Sequence, residues 1–160
     1  MSMGSIVEFQ QLTTLGKLRS RNKVIVFTNG AFDLLHVGHV RLLRHCKELG
    51  DVLVVGLNSD DSIRRYKSPT RPIYGEQERI EIVASLACVD YAVLFTEPDC
   101  ALVLESLKPD IWARGPKSSD GHYQKELEVL SMHGGRHHVL PLQSDSSTSS
   151  TIDRICLLYH

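Results

Sequence analysis

The chain predicts a doubly wound α/β domain on a five-stranded, mostly parallel sheet. Three observations carry this. Short apolar runs without polar alternation recur along the 160 residues, as expected of strands buried on both faces. Segments of helical periodicity separate them, which favours parallel connections. Polar loops follow the first, second, fourth and fifth runs, where the carboxyl ends of parallel strands would gather a ligand site.

Each element follows in order. Residues 24–28, VIVFT, form the first β-branched run. Residues 38–48, GHVRLLRHCKE, place Val40, Leu43 and Lys47 on one side with Leu42 and Cys46 beside them, and Gly50 supplies a stop. Residues 52–57 make a second strand that ends in the polar turn 58–61. Residues 62–74 are basic and interrupted by Pro69 and Pro72, and read as loop. Residues 76–86 are helical, with Ile80, Val83 and Ala84 inward. YAVLF, 91–95, is the third strand, and Pro98 opens a helix that runs through Leu107. Residues 110–113, DIWA, form the fourth strand, and a polar loop precedes the helix 123–132, which Gly134 and Gly135 end. HHVLPL, 137–142, is the fifth strand, and SDSSTSS leads into a last helix over 151–158. The result is a single Rossmann-like domain over 22–160. Residues 1–21 are set apart as an N-terminal extension, with residues 1–5 resembling a tag remnant.

A chain of this length buries a core without disulfides. The formal net charge of -1 offers no basic field for nucleic acid. Residues 64–71 are basic, but no aromatic platform accompanies them for RNA. No apolar run is long enough to cross a membrane, and no signal peptide opens the chain. Cys46, Cys88, Cys100 and Cys156 form no CxxC pair. They read as reduced, core or near-core residues, so zinc is not expected and a cytoplasmic setting is.

The chemistry concentrates in FTNGAFDLLHVGH, residues 27–39. It has neither GxGxxG nor GxxxxGK[ST], which argues against the two commonest nucleotide loops. Asn29-Gly30 makes a turn after the first strand, and a helix starts near Gly38. The free backbone N–H groups of such a start favour an anion. His36 and His39, three apart, can converge on that anion, and Gly38 leaves room for it. On spacing alone the two histidines could equally be surface residues or a weak metal pair. Asp33 is either a loop-capping carboxylate or linked to a metal-bound phosphate. Arg79 read in isolation is an exposed helix residue between acids. Ser147 and Thr148 are candidates for capping the last helix.

GAFDLLHVGH resembles the HxGH signature of the nucleotidyltransferase superfamily. The wider blocks are similar to bacterial heptose-phosphate adenylyltransferases: FTNGAFDLLHVGHVRLLRHCKELGD, VVGLNSDDSIRRYK with RPI, EQERIEIVASLACVDYAVLF, PDIWARG and SSTSSTIDRI. The likeness spans about residues 22–156. It implies transfer of a nucleoside monophosphate from a nucleoside triphosphate to a small phosphorylated or phosphonate acceptor, with release of pyrophosphate. The acceptor is already an anion, so alignment and charge stabilisation matter more than a general base. The resemblance assigns catalytic roles to His36, His39, Lys67 and Arg79, with Arg64 and Arg71 as weaker candidates. Thr28, Asn29, Gly30, Ala31, Phe32, Asp33 and Gly38 would line the nucleotide site from the first loop. Arg114, Gly115, Ser147 and Thr148 would do so from the later ones. Mg²⁺ with Asp33, a homodimer and fusion into a larger enzyme are implied as well.

Departures bear on the substrate. Ala31 stands where these enzymes usually have cysteine. Arg114-Gly115 replaces lysine-glycine, and the loop that follows lacks their acid-aromatic pair. The RTEG-type segment of glycerol-phosphate cytidylyltransferases is also absent. ATP with heptose 1-phosphate is the nearest match. CTP with a phospho-alcohol or small phosphonate, and a non-catalytic nucleotide-binding regulatory domain, are the alternatives.

Overall fold

A computed structural model describes residues 4–116, 123–141 and 144–159. Six parallel strands form one sheet in the order β1-β4-β3-β2-β5-β6. They are β1 (Ser5–Val7), β2 (Ile25–Gly30), β3 (Val52–Asn58), β4 (Tyr91–Phe95), β5 (Ile111–Arg114) and β6 (Arg136–Val139). The helices are α1 (Leu12–Gly16), α2 (Val37–Glu48), α3 (Asp60–Tyr66), α4 (Glu76–Ala84), α5 (Ala101–Leu107), α6 (Tyr123–Met132) and α7 (Thr148–Leu158).

The sixth strand corrects the expected five. Residues 5–7 pair with Tyr91–Val93 at the β4 edge. A three-residue strand with two exposed side chains has no apolar run by which to announce itself. Leu12, in the segment set apart as an extension, is fully buried in the core.

The strands alternate between two cores, one on each face. On one face Val26, Leu53, Val55 and Ala92 pack with Leu43 and Cys46 of α2 and Ile80 and Val83 of α4. On the other, Ile25, Phe27, Val54 and Trp112 pack with Leu12 and with Val103, Leu104 and Leu107 of α5 and Leu130 of α6. Burying a single large aliphatic side chain of this kind contributes about 1.5–3 kcal/mol.

The second correction is α3, in a stretch read as polar turn and loop. Ser59 caps it, its hydroxyl accepting from the Ser62 N–H at 3.2 Å. Asp60 and Asp61 lie in the first turn and Arg64 and Arg65 in the last, complementing the helix dipole. The prolines that suggested a loop lie just beyond its end. Smaller shifts have local causes. α5 begins at Ala101, not Pro98, because Asp99 accepts from the Ala101 N–H at 2.9 Å. β6 ends before Pro141, which has no N–H for the ladder; Leu142 lies outside the described residues. α7 begins three residues early, capped by Ser147.

β2 separates two windings, toward β3, β4 and β1 on one side and β5 and β6 on the other. Its ladder with β5 ends at Phe27↔Trp112, whereas its ladder with β3 continues to Gly30↔Leu57. Beyond that point the sheet opens into a crevice at the topological switch point.

Candidate active site

The loop from β2 to α2 is shaped by its own residues. Phe32 adopts a left-handed backbone, with φ 45°, a conformation that non-glycine residues hold only when neighbours over-determine it. Its buried ring lies 5.2 Å from that of His39. A Cβ on Gly30 would stand 3.2 Å from the same ring.

α2 opens with a capping box made of two imidazoles. His36 is the N-cap, and its Nδ1 accepts from the Gly38 N–H at 3.1 Å. The His36 N–H points at Nδ1 of His39 at 3.4 Å. The rings stack with centroids 3.8 Å apart. Because both Nδ1 atoms accept, each neutral ring carries its proton on Nε2. Burial lowers the pKa of His36. Burial first, and then His36 and Lys67, hold His39 down to about 4. Both rings are therefore neutral donors at physiological pH. Gly38 is required by space: a Cβ there would meet Ser144 Oγ at 2.7 Å and the His36 ring at 2.9 Å.

The N-terminus of α7 faces the same place. Ser147 caps it, accepting from the Ser150 N–H at 3.0 Å. Thr148 donates to the Leu34 carbonyl at 3.3 Å, joining α7 to the loop before α2. A pocket of about 180 Å³ lies between them, lined by Asn29, Gly30, Ala31, Phe32, Asp33, His39, Leu42, Lys67 and Thr148. Lys67 ends α3, and its pKa is lowered by burial and then by Arg71. An adjoining hollow of about 150 Å³ is mainly apolar and takes in His36, Gly38, Leu42, Gly115, Pro116 and Pro141.

Three assignments read differently in the structure. Arg79 is fully buried, not an exposed helix residue. It donates to the carbonyls of Tyr74, Ala31 and Asn58 and to Asp60 Oδ1 at 2.9 Å. It thereby ties the β2 loop, the end of β3, α3 and the 71–75 turn together. Asp33, also buried, accepts from Arg71 at 2.8 Å and from the N–H groups of Ile73 and Tyr74. That is the loop-capping alternative, with both oxygens engaged. Thr28, on the α2 face of β2, is fully buried. It is recessed from the pocket that Asn29 and Gly30 line.

Arg114 departs from the site altogether. Strand alternation sends Ala113 to the α2 face and Arg114 to the opposite one. There its guanidinium lies 4.9 Å from the Trp112 ring and 3.6 Å from Glu126. Its backbone neighbour Gly115 still lines the apolar hollow. Most of the altered loop after Arg114, residues 117–122, lies outside the described residues.

Among the described residues no group of three or more His, Cys, Asp or Glu could hold a metal ion. With Asp33 committed to Arg71 and two N–H groups, this donor set does not fit a resident cation. Among the described residues no helix is long and apolar enough to cross a membrane. Cys46 and Cys100 are buried as expected, but Cys156 is exposed on α7.

A parallel sheet with a crevice at its switch point, where imidazoles, a lysine and the N-termini of α2 and α7 meet, is the setting of a nucleotidyltransferase domain. The chain belongs to the cytidylyltransferase-like family, whose model matches residues 27–154. It is 47% identical over 141 residues to the bifunctional protein HldE of Syntrophotalea carbinolica, covering 86% of this chain and 28% of that protein. It is 43% identical to the bifunctional protein HldE of Helicobacter pylori, covering 88% and 29%. The chain thus spans less than a third of the length of these relatives. Among solved structures it is similar to a lipopolysaccharide core biosynthesis protein of Thermoplasma volcanium. That match has a TM-score of 0.64 at 28% identity and covers 78% of this chain and 99% of the other. A pantoate-beta-alanine ligase of Francisella tularensis, at 0.60 and 18% identity, shares the fold.

Proposed function

We propose that the domain transfers AMP from ATP to a sugar 1-phosphate, heptose 1-phosphate in the nearest match, and releases pyrophosphate. An acceptor phosphate oxygen bonds to the α-phosphorus while the bond to the pyrophosphate oxygen breaks. The observation that carries this reading is the neutral His36–His39 pair, with both Nδ1 atoms tied to backbone N–H groups. Two Nε2–H donors are thus preset at the pocket. They stabilise charge that grows on phosphate oxygens by donating hydrogen bonds to them. Lys67 adds a cation from one side, and the α7 N-terminus adds backbone donors from the other. Arg79 acts through the walls it holds. The hollow between Leu42, Pro116 and Pro141 receives the base by stacking and burial. Mg²⁺ enters as the counter-ion of the triphosphate substrate, since it is bound most readily through substrate phosphates.

The relatives' name, bifunctional protein HldE, and the small share of their length that this chain spans support this domain being one part of a larger two-activity enzyme. Free cysteines support a cytoplasmic setting, and the family resemblance supports a homodimer. The test is pyrophosphate release with Mg²⁺, crossing ATP and CTP against heptose 1-phosphate, glycerol 3-phosphate, phosphocholine, phosphoethanolamine and hydroxyethylphosphonate. Release with ATP and heptose 1-phosphate alone is expected. Release with CTP alone overturns the choice of base, and no release with any pair overturns the reaction.

A further inference from the structure

We propose that Trp112 is a positioning residue that fixes the carboxamide of Asn29 as a donor to the attacking phosphate of the acceptor. The inference rests on the nucleotidyl-transfer reading above. Trp112 is fully buried, and its Nε1 lies 3.0 Å from Asn29 Oδ1. An indole N–H can only donate, so the amide atom facing it is the oxygen. The Asn29 NH₂ group is therefore turned the other way, and Asn29 lines the pocket that holds His39, Lys67 and Thr148.

The strand geometry explains why this contact exists. The β2–β5 ladder ends at Phe27↔Trp112. Asn29 lies two residues beyond, on the same face of β2 as Phe27, where no backbone partner from β5 continues. The indole spans that opening. Its own orientation is fixed by neighbours: the Arg114 guanidinium at 4.9 Å and the His137 ring at 5.2 Å. Arg114 is in turn held 3.6 Å from the buried carboxylate of Glu126. The Arg114 that left the pocket thus supports it from behind.

The face identifies the substrate group. The N-termini of α2 and α7 serve the triphosphate from one side of the sheet edge. Asn29 reaches the pocket from the face of Phe27 and Trp112, across it from His39 and Leu42 of α2. In-line displacement needs the nucleophile across from the leaving group, so Asn29 meets the acceptor phosphate.

Steady-state kinetics of Asn29→Ala, Trp112→Phe and the double variant test this, with melting followed for each. Asn29→Ala is expected to lower kcat/KM for the acceptor about 10- to 100-fold, the effect of one hydrogen bond to a charged group, while KM for the triphosphate stays within about twofold. Trp112→Phe, which keeps an aromatic ring but loses the N–H, is expected to lose less. The double variant should match Asn29→Ala, because the indole acts only through the amide. Losses that multiply in the double variant, a folded Trp112→Phe of full activity, or a rise in triphosphate KM instead overturn the proposal.

Trp112 is the only tryptophan of the chain, so its ¹⁵N-indole resonance gives a readout should Trp112→Phe fail to fold. Inorganic phosphate is expected to shift that resonance in the wild type and not in Asn29→Ala. An equal shift in both, or none in the wild type, overturns the proposal. If the wild type releases no pyrophosphate with any pair, the reaction assigned above fails, and the indole titration still decides the contact.

Discussion

The corner around Arg79 and the mouth around His39 lie at the same edge of the sheet, and both are rich in hydrogen-bonding groups. In the corner, the donors of Arg79 and the oxygens of Asp33 are taken up by the protein itself, in full burial. At the mouth, among the described residues, the inner nitrogen of each imidazole is committed and the outer one keeps its proton. The first region gives shape, and it is to the second that we assign the chemistry. A charged side chain near a phosphate site is therefore no guide to contact with the phosphate; what it is already bonded to decides.

This contrast can be broken most severely at Arg79. Arg79→Met leaves three carbonyls and Asp60 without their donor. It should cost about 3–5 kcal/mol in urea unfolding, and Arg79→Lys should restore little, because an ammonium lacks the fork. Next, His39→Ala should lower turnover about 10²- to 10³-fold in the pyrophosphate assay while the melting temperature falls by only a few degrees. If both variants lose activity in proportion to stability, the two regions are not distinct. Gly38→Ala forces the His36 ring and Ser144 aside, and about 1–3 kcal/mol of overpacking is expected from thermal melts, with activity lost as well. The smallest effect is on pH. His39 titrates near 4 when folded, against 6.5 for the ordinary side chain. Between those values the unfolded chain binds a proton that the folded ring does not. The stability His39 confers is full above pH 6.5 and is lost as pH falls toward 4, by on the order of 2 kcal/mol. Melting curves of His39→Ala should lack that component.

The sequence made the mouth more legible than the corner. His36, Gly38, His39 and the serine-threonine stretch lie close together or before a helix, and local rules of capping and anion binding apply to them directly. Lys67 needed the family resemblance. The corner joins Ala31, Asn58, Asp60 and Tyr74 to one guanidinium, and no local pattern records that. For the same reason no local pattern marks Trp112: its partner Asn29 is 83 residues away in the chain. The long central strands were readable as apolar runs. β1 was not, having three residues, and α3 was masked by the prolines that follow it. Arg114 shares the face of Trp112 by strand parity, and its guanidinium lies against the Trp112 ring and Glu126, partners that no local pattern records.

The edge strand β1 has a practical consequence. A fragment trimmed to residues 27–154, where the family model matches, would strip the hydrogen-bonding edge of β4. It would also uncover the core surface that Leu12 fills. Such an unprotected edge invites pairing between molecules. The stretch that the family model matches is thus shorter than the stretch that completes the sheet, and expression boundaries are better drawn from the sheet than from that match.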